Sequence, residues 1–221
     1  QDLSLVRLDL KALQDRLAIT LDQARPDAVA KLRTRGQRTA RENLADLCDK
    51  GSFLEYGQLV YAAQRSKTDS ETLMQSTPAD GIIAGFASIN GVLFDDSKAD
   101  FSTRVAVLSY DAMVMAGTQG THGHKKTDRV LEVAADLSVP LVFFSGGGGG
   151  RPGDDDMLHT VSSALDIKTF YTLAKLEGTG PKIAINSGYC FAGNAVVFGS
   201  CDLKISTQNS WIGMGGPAMI E

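Results

Sequence analysis

The chain has 221 residues, 43% hydrophobic and 22% charged, which is ample for a core and corresponds to one large domain or two small ones. Twenty-six acids against 22 bases give a net charge of −4, which argues against a general nucleic-acid binder with a basic surface. No apolar run approaches the ~20 residues of a bilayer span, and Cys48, Cys190 and Cys201 are too scattered for a disulfide framework or a zinc site, so a reducing compartment is expected.

Leu3, Val6, Leu10, Leu13, Leu17 and Leu21 recur every three or four residues and predict an amphipathic helix of about six turns, ended by Pro26. Asp27 can cap a second helix from Ala28 to Cys48. That helix carries Lys31, Arg33, Arg35, Arg38 and Arg41, either a solvated face or a dock for phosphate or an acidic partner. Residues 1–50 thus read as a helical segment preceding a different texture over 51–221. Residues 64–80 are polar and read as an exposed loop. Gly81–Ile89 reads as a strand, with Asn90-Gly91 predicting a tight hairpin and an antiparallel return over Val92-Leu93-Phe94.

From Arg104 a plan of buried strand, glycine-rich loop and helix occurs three times. Arg104–Tyr110 leads to Gly117–Gly120 and a helix from Lys125 to Leu137. Pro140–Phe144 leads to Gly146–Gly150 and a helix from Met157 to Leu176. Pro181–Asn186 leads to Ser187–Gly193 and a short helix. Continuous apolar strands alternating with helices imply an α/β fold whose sheet is covered on both faces. A start at Gln1 with no leader pattern, and a last residue, Glu221, just after a glycine-rich stretch, lead to the expectation of a piece of a larger enzyme.

Side chains fitted for catalysis are scarce. His122, His124 and His159 lack metal-ligand spacing and are expected in structural or solvent roles. Cys190 stands at a loop–helix junction, where packing and thiolate chemistry both remain open. The Gly146–Gly150 loop lacks the Gly-Lys-Ser/Thr of a phosphate loop and continues as Arg151-Pro-Gly-Asp-Asp-Asp156. Its value therefore lies in its backbone: glycine lets main-chain N–H groups converge on a developing oxyanion. The Ser187–Gly193 loop is built in the same way, and each loop can supply one donor.

The run Pro181-Lys-Ile-Ala-Ile-Asn-Ser-Gly-Tyr-Cys-Phe-Ala-Gly-Asn-Ala-Val-Val-Phe-Gly-Ser-Cys-Asp202 resembles the loop and helix of the crotonase superfamily. Thr39-Ala-Arg-Glu-Asn-Leu44, Gly51-Ser-Phe-Leu-Glu55, Asp80-Gly-Ile-Ile-Ala-Gly85 and Ser145-Gly-Gly147 follow in the order of the biotin-dependent acyl-CoA carboxyltransferases. The likeness covers most of residues 30–221 and the N-terminal half of that family's two-domain subunit. The family's commoner Ser-Gly-Gly-Ala-Arg is here Ser145-Gly-Gly-Gly-Gly-Gly-Arg151, which is more similar to the single-chain, multidomain carboxylases.

The resemblance implies a crotonase-like ββα superhelix with N-terminal helices, residues 51–221 forming the carboxyltransferase N-domain. It implies carboxyl transfer from carboxybiotin to the α-carbon of an acyl-CoA, with biotin taking the α-proton and no metal in this domain. Gly146, Gly147, Gly148, Ala192 and Gly193 are then the candidate oxyanion donors, and Lys125, Lys126, Arg38, Arg41 and Gly120 the candidate coenzyme A contacts. Implied partners are an acyl-CoA, biotin carboxyl carrier and biotin carboxylase domains or subunits, and further copies in a homo-oligomer, in a bacterial cytoplasm or a mitochondrial matrix. No nucleic acid or membrane is expected. A crotonase-type enoyl-CoA hydratase or isomerase, and a non-catalytic assembly module, are the competing readings.

Overall fold

The computed structural model describes residues 7–94, 103–155 and 167–216. The predicted first helix is α1, Leu8–Ala18, followed by a 3-10 turn at Asp22–Ala24. Its leucines are largely uncovered: Leu8, Leu10 and Leu13 are exposed. Leu3 and Val6 lie outside the described residues.

The predicted second helix is two. α2 (Pro26–Arg33) stops because Gly36 takes φ +67°, with Gly36 N–H bonding Arg33 C=O and Gln37 N–H bonding Leu32 C=O, the Schellman closure. α3 (Ala40–Leu47) restarts from a capping box, in which the Thr39 side chain accepts from Glu42 N–H and the Glu42 carboxylate accepts from Thr39 N–H. The supposed loop 64–80 contains α4 (Ser70–Ser76), capped by Asp69, and buries Leu73.

The main sheet runs β1 (Leu54–Tyr56), β2 (Ile82–Ser88), β3 (Arg104–Tyr110), β4 (Leu141–Phe144), β5 (Lys182–Asn186) and then β7 (Leu203–Ser206). β2 is antiparallel to β1 and β3, while β3, β4, β5 and β7 are parallel. The predicted hairpin is corrected here. Asn90 alone is left-handed, one residue short of the two that a tight type I′ turn needs, and Val92 and Leu93 stand exposed in a 3-10 turn. The antiparallel return is β3 itself.

Side chains alternate across the sheet into two cores. Ile82, Ala84, Phe86, Ala106 and Leu108 pack with Val130, Leu131 and Ala134 of α5 (Thr121–Leu137) and with Leu173 of α6 (Thr169–Lys175). Ile83, Ala87, Val105 and Val107 pack on the other face with Ala40 and Leu44 of α3. Both faces are covered, as continuous apolar strands require. α5 starts four residues before the predicted Lys125; the segment 157–166 of the predicted Met157–Leu176 helix lies outside the described residues. β6 (Tyr189–Phe191) pairs with β8 (Trp211–Gly213) in a small second sheet, and α7 (Gly193–Gly199) follows β6.

Candidate active site

A cleft of about 400 Å³ opens where the parallel strands end, the usual ligand position in α/β sheets. Ser109 and Tyr110 of β3, Phe144 of β4 and Ile185 of β5 form one side, with Gly146 and Gly147 beside them. Leu32, Arg35, Gln37 and Arg38, from the α2–α3 junction, form the other. The walls are tied together by Gln37, whose amide donates to Ser187 C=O (3.1 Å).

The two glycine loops lie against each other. Gly147 N–H donates to Tyr189 C=O (2.7 Å), and Phe191 N–H donates to Gly147 C=O (2.9 Å), a parallel bridge between the loops. This adjacency corrects part of the donor list. Gly147 N–H is engaged with Tyr189, Gly148 N–H with Ala116 C=O (3.1 Å) and Ala192 N–H with Gly213 C=O (3.0 Å). The amides of Gly146 and Gly193 donate to no acceptor among the described residues. Gly146 lines the cleft, whereas Gly193 opens α7, where a first-turn N–H has no helical partner. Gly147 must still be glycine, because a Cβ there would collide with Gly117 C=O and the Asn194 amide. The register of the bridge, which depends on distant strand ends, decides which of the expected donor amides remain unengaged.

The predicted coenzyme A contacts divide. Arg38 lines the cleft, although it pairs with Asp46 (2.9 Å). Arg41 is instead bidentate on Glu55, at 2.9 and 3.3 Å. Lys126 is buried, its ammonium donating to Ala79 C=O (3.1 Å) and Ile82 C=O (2.6 Å), and burial pulls its pKa down to about 8. Gly120 makes room for the Arg151 guanidinium. Lys125 is exposed and is not among the cleft-lining residues. Arg35, part of the basic face, stands exposed at the cleft without an ion pair among the described residues.

The titratable side chains among the cleft-lining residues are Tyr110, Tyr189 and the arginines; none of its lining residues among those described is Asp, Glu or His. Burial holds the Tyr110 hydroxyl well above the ordinary tyrosine range, where it accepts a hydrogen bond from Gln119 (2.8 Å). His122 bonds Tyr61 C=O, and His124 bonds Thr169, as structural histidines would. The Cys190 thiol is buried against Ser145, and burial raises its pKa, which favours the packing role.

The carboxyl transferase domain model matches residues 31–221. The methylmalonyl-CoA carboxyltransferase 12S subunit of Propionibacterium freudenreichii subsp. shermanii is 30% identical over 196 residues, 87% of this chain and 33% of that protein. The biotin-dependent long chain acyl-coenzyme A carboxylase beta4 subunit of Mycobacterium tuberculosis is 28% identical over 96% of this chain and 36% of that protein. A solved single-chain, multi-domain long-chain acyl-CoA carboxylase is 51% identical with a TM-score of 0.88, covering 97% of this chain and 21% of that one. The chain thus spans about a third of the length of the curated relatives it matches. The crotonase-like architecture expected from the loops is the one observed. With the family model spanning both glycine loops and every strand of the sheet, the chain belongs to the carboxyl transferase domain family.

Proposed function

We propose that the chain is the acyl-CoA-binding half of a biotin-dependent carboxyltransferase, which moves a carboxyl group onto the α-carbon of an acyl-CoA. The Gly146 amide carries the reading: it stands at the cleft beyond β4 with no acceptor among the described residues, while Gly147 and Gly148 are engaged. A thioester in the cleft supplies the missing acceptor. Gly193 contributes the second donor from the adjoining loop. As the α-proton leaves, negative charge moves onto the thioester oxygen, and each well-aimed N–H lowers that barrier by about 3–4 kcal/mol. Amides do not titrate, so the charge is met without a lysine or histidine. Carboxybiotin, brought by a carrier domain, supplies the carboxyl group.

Arg35 and Arg38 face the outer end of the ligand, where the coenzyme A phosphates need cations. A hydratase would need a carboxylate facing the substrate, and the cleft walls described offer none. The helical segment 1–50 and the N-domain 51–221 are read as one working unit, since α3 fills the sheet core. Biotin carboxylase and carrier domains and a homo-oligomer complete the reading. It is supported by the multi-domain carboxylase and by the hexameric transcarboxylase 12S among the relatives, and by the large apolar side chains of Leu203, Ile205, Trp211 and Met214 left exposed. Three unpaired cysteines suit a reducing compartment, cytoplasmic in a bacterium or the matrix of a mitochondrion. No helix of the described residues is long and apolar enough to cross a membrane.

The deciding experiment incubates the full-length protein with ATP, labelled bicarbonate and a series of acyl-CoAs. Biotin-dependent labelling of an acyl-CoA is expected. Hydration of an enoyl-CoA, or an absence of labelling with every acyl-CoA, would overturn the reading.

A further inference from the structure

One buried side chain, on the residue that follows the Ser187–Gly193 loop, is bonded to the Gly146–Gly150 loop and to Gly117 without lining the cleft. Asn194 is fully buried as the second residue of α7, directly after Gly193. Its Nδ2 donates to Ser145 C=O (3.0 Å) and to Gly117 C=O (3.3 Å). Its Oδ1 accepts from Gly149 N–H (2.8 Å). A flipped amide would set oxygen against two carbonyl oxygens and nitrogen against an N–H, so the network fixes the orientation.

The three bonds have a geometric consequence. Ser145 and Gly149 bracket the segment that contains Gly146, so one amide holds both ends of that turn. The same residue follows the other donor, and its Cα belongs to the helix that Gly193 begins. The Gly146 loop therefore cannot slide against Gly193 without breaking hydrogen bonds inside a site closed to water, where an unmatched amide is costly. Gly147 leaves the space that the Asn194 amide occupies.

We propose that Asn194 is the positioning residue of the oxyanion site, setting the separation of the Gly146 and Gly193 amides while touching no substrate. The proposal rests on the function argued above and deepens it. A misplacement near 1 Å costs about a hundredfold in rate, and Asn194 bears on the step that develops charge more than on binding.

The test compares the full-length protein with Asn194→Ala and Asn194→Asp, with kcat expressed per folded, acyl-CoA-binding site. For Asn194→Ala, kcat is expected to fall about a hundredfold while KM and the acyl-CoA dissociation constant stay within about threefold. Asn194→Asp keeps the acceptor for Gly149 and turns a carboxylate oxygen toward two carbonyls. Its kcat is expected to recover as pH falls and a protonated carboxyl again donates, a pH profile that the parent lacks. Infrared difference spectra of a bound acyl-CoA labelled with carbon-13 at the thioester carbon are expected to lose the lowered carbonyl stretch in the alanine variant. A kcat for Asn194→Ala within about threefold of the parent, or a change confined to KM, overturns the proposal. Should the alanine variant fail to fold, the aspartate variant decides by the same criteria, and a flat pH profile overturns it. A parent protein that carboxylates no acyl-CoA overturns the functional reading, whereas active parent with fully active variants overturns this inference alone.

Discussion

Two neighbouring regions of the molecule divide polar groups in opposite ways. Around the first turn of α5 stand the residues that look most chemical: Asp80, Arg151, Asp154, His124 and Lys126. Arg151 is buried against Asp80, donates to Asp80 C=O (3.2 Å) and reaches Thr118 through C=O (3.0 Å) and hydroxyl (3.2 Å). The Asp80 and Asp154 carboxylates accept the Gly123 and Thr121 amides at 2.6 and 2.8 Å, capping a helix whose Gly120 has no side chain to do so. Asp80, Arg151 and Asp154 pair with one another, while Lys126 is held by Ala79 C=O and Ile82 C=O and His124 by Thr169. The glycine loops hold no carboxylate, lysine, arginine or histidine, yet the amides of Gly146, at the cleft, and Gly193 have no acceptor among the described residues. On the proposed function, unsatisfied donors mark the chemistry better than titrating residues do, because a saturated charge is architecture.

The contrast breaks most easily at Gly147. In Gly147→Val the new side chain meets Gly117 C=O and the Asn194 amide, so the loop must move and carry Gly146 with it. Turnover of the complete enzyme is expected to fall by more than about a thousandfold, the loss expected when an oxyanion donor is misplaced together with its support. Retained turnover would separate the loop from the chemistry. The matching change in the other region is Arg151→Ala, which strands Asp80 in the interior. Urea unfolding of that variant is expected to show a loss of about 3–5 kcal/mol, the effect of removing one partner of a buried ion pair. Any activity lost should track the folded fraction. A kcat per folded site lowered beyond tenfold would place Arg151 in the catalytic machinery instead.

Legibility in the sequence followed the same division. The strand–loop–helix plan was readable because each strand is a short apolar run closed by glycine, and Gly146–Gly150 and Ser187–Gly193 do flank the cleft. The break between α2 and α3 was also written there, in Gly36 and in the Thr39-x-x-Glu42 box, but the apolar period on either side concealed it. Other features had no local signal. That Lys126 turns inward to Ala79 C=O and Ile82 C=O, while Arg35 stays free at the cleft, depends on how helices pack onto strands far away in the chain. The Asn90-Gly91 pair misled because one left-handed residue suffices once Asp49 accepts the Gly91 amide at 2.8 Å.

His124 sharpens the comparison by pH. Thr169 Oγ1 donates to Asp128 (2.5 Å), so the His124 Nδ1 must donate to Thr169 (2.8 Å), which requires a ring protonated on that nitrogen. Burial lowers its pKa from 6.5 to about 4. Above pH 6.5 the ring is neutral folded or unfolded. As pH falls below 6.5 the unfolded chain takes up a proton that the folded one resists, so this part of the stability declines and is gone by about pH 4. The total is at most about 3 kcal/mol. Asp128, whose pKa burial raises, acts in the opposite sense, so the parent must be compared with His124→Phe. Stability of the variant is expected to lose less between pH 7 and pH 4.5, with kcat per folded site unchanged at pH 7. An equal loss in both would show that the ring does not titrate in that window.

The smallest effect lies at the cleft mouth, where it separates an available charge from a merely exposed one. Arg35 and Lys125 are both exposed and free of ion pairs among the described residues, yet only Arg35 lines the cleft. An exposed cation facing a phosphate through water contributes little, since solvent and salt screen it. Arg35→Ala is therefore expected to raise the KM for acyl-CoA no more than about fivefold at low salt, with kcat unchanged and the difference shrinking at 0.5 M salt. Lys125→Ala is expected to leave KM where it was at every salt concentration. If the two variants behaved alike, the basic face of the N-terminal segment would be solvated surface, and the coenzyme A phosphates would have to be met from another side of the molecule.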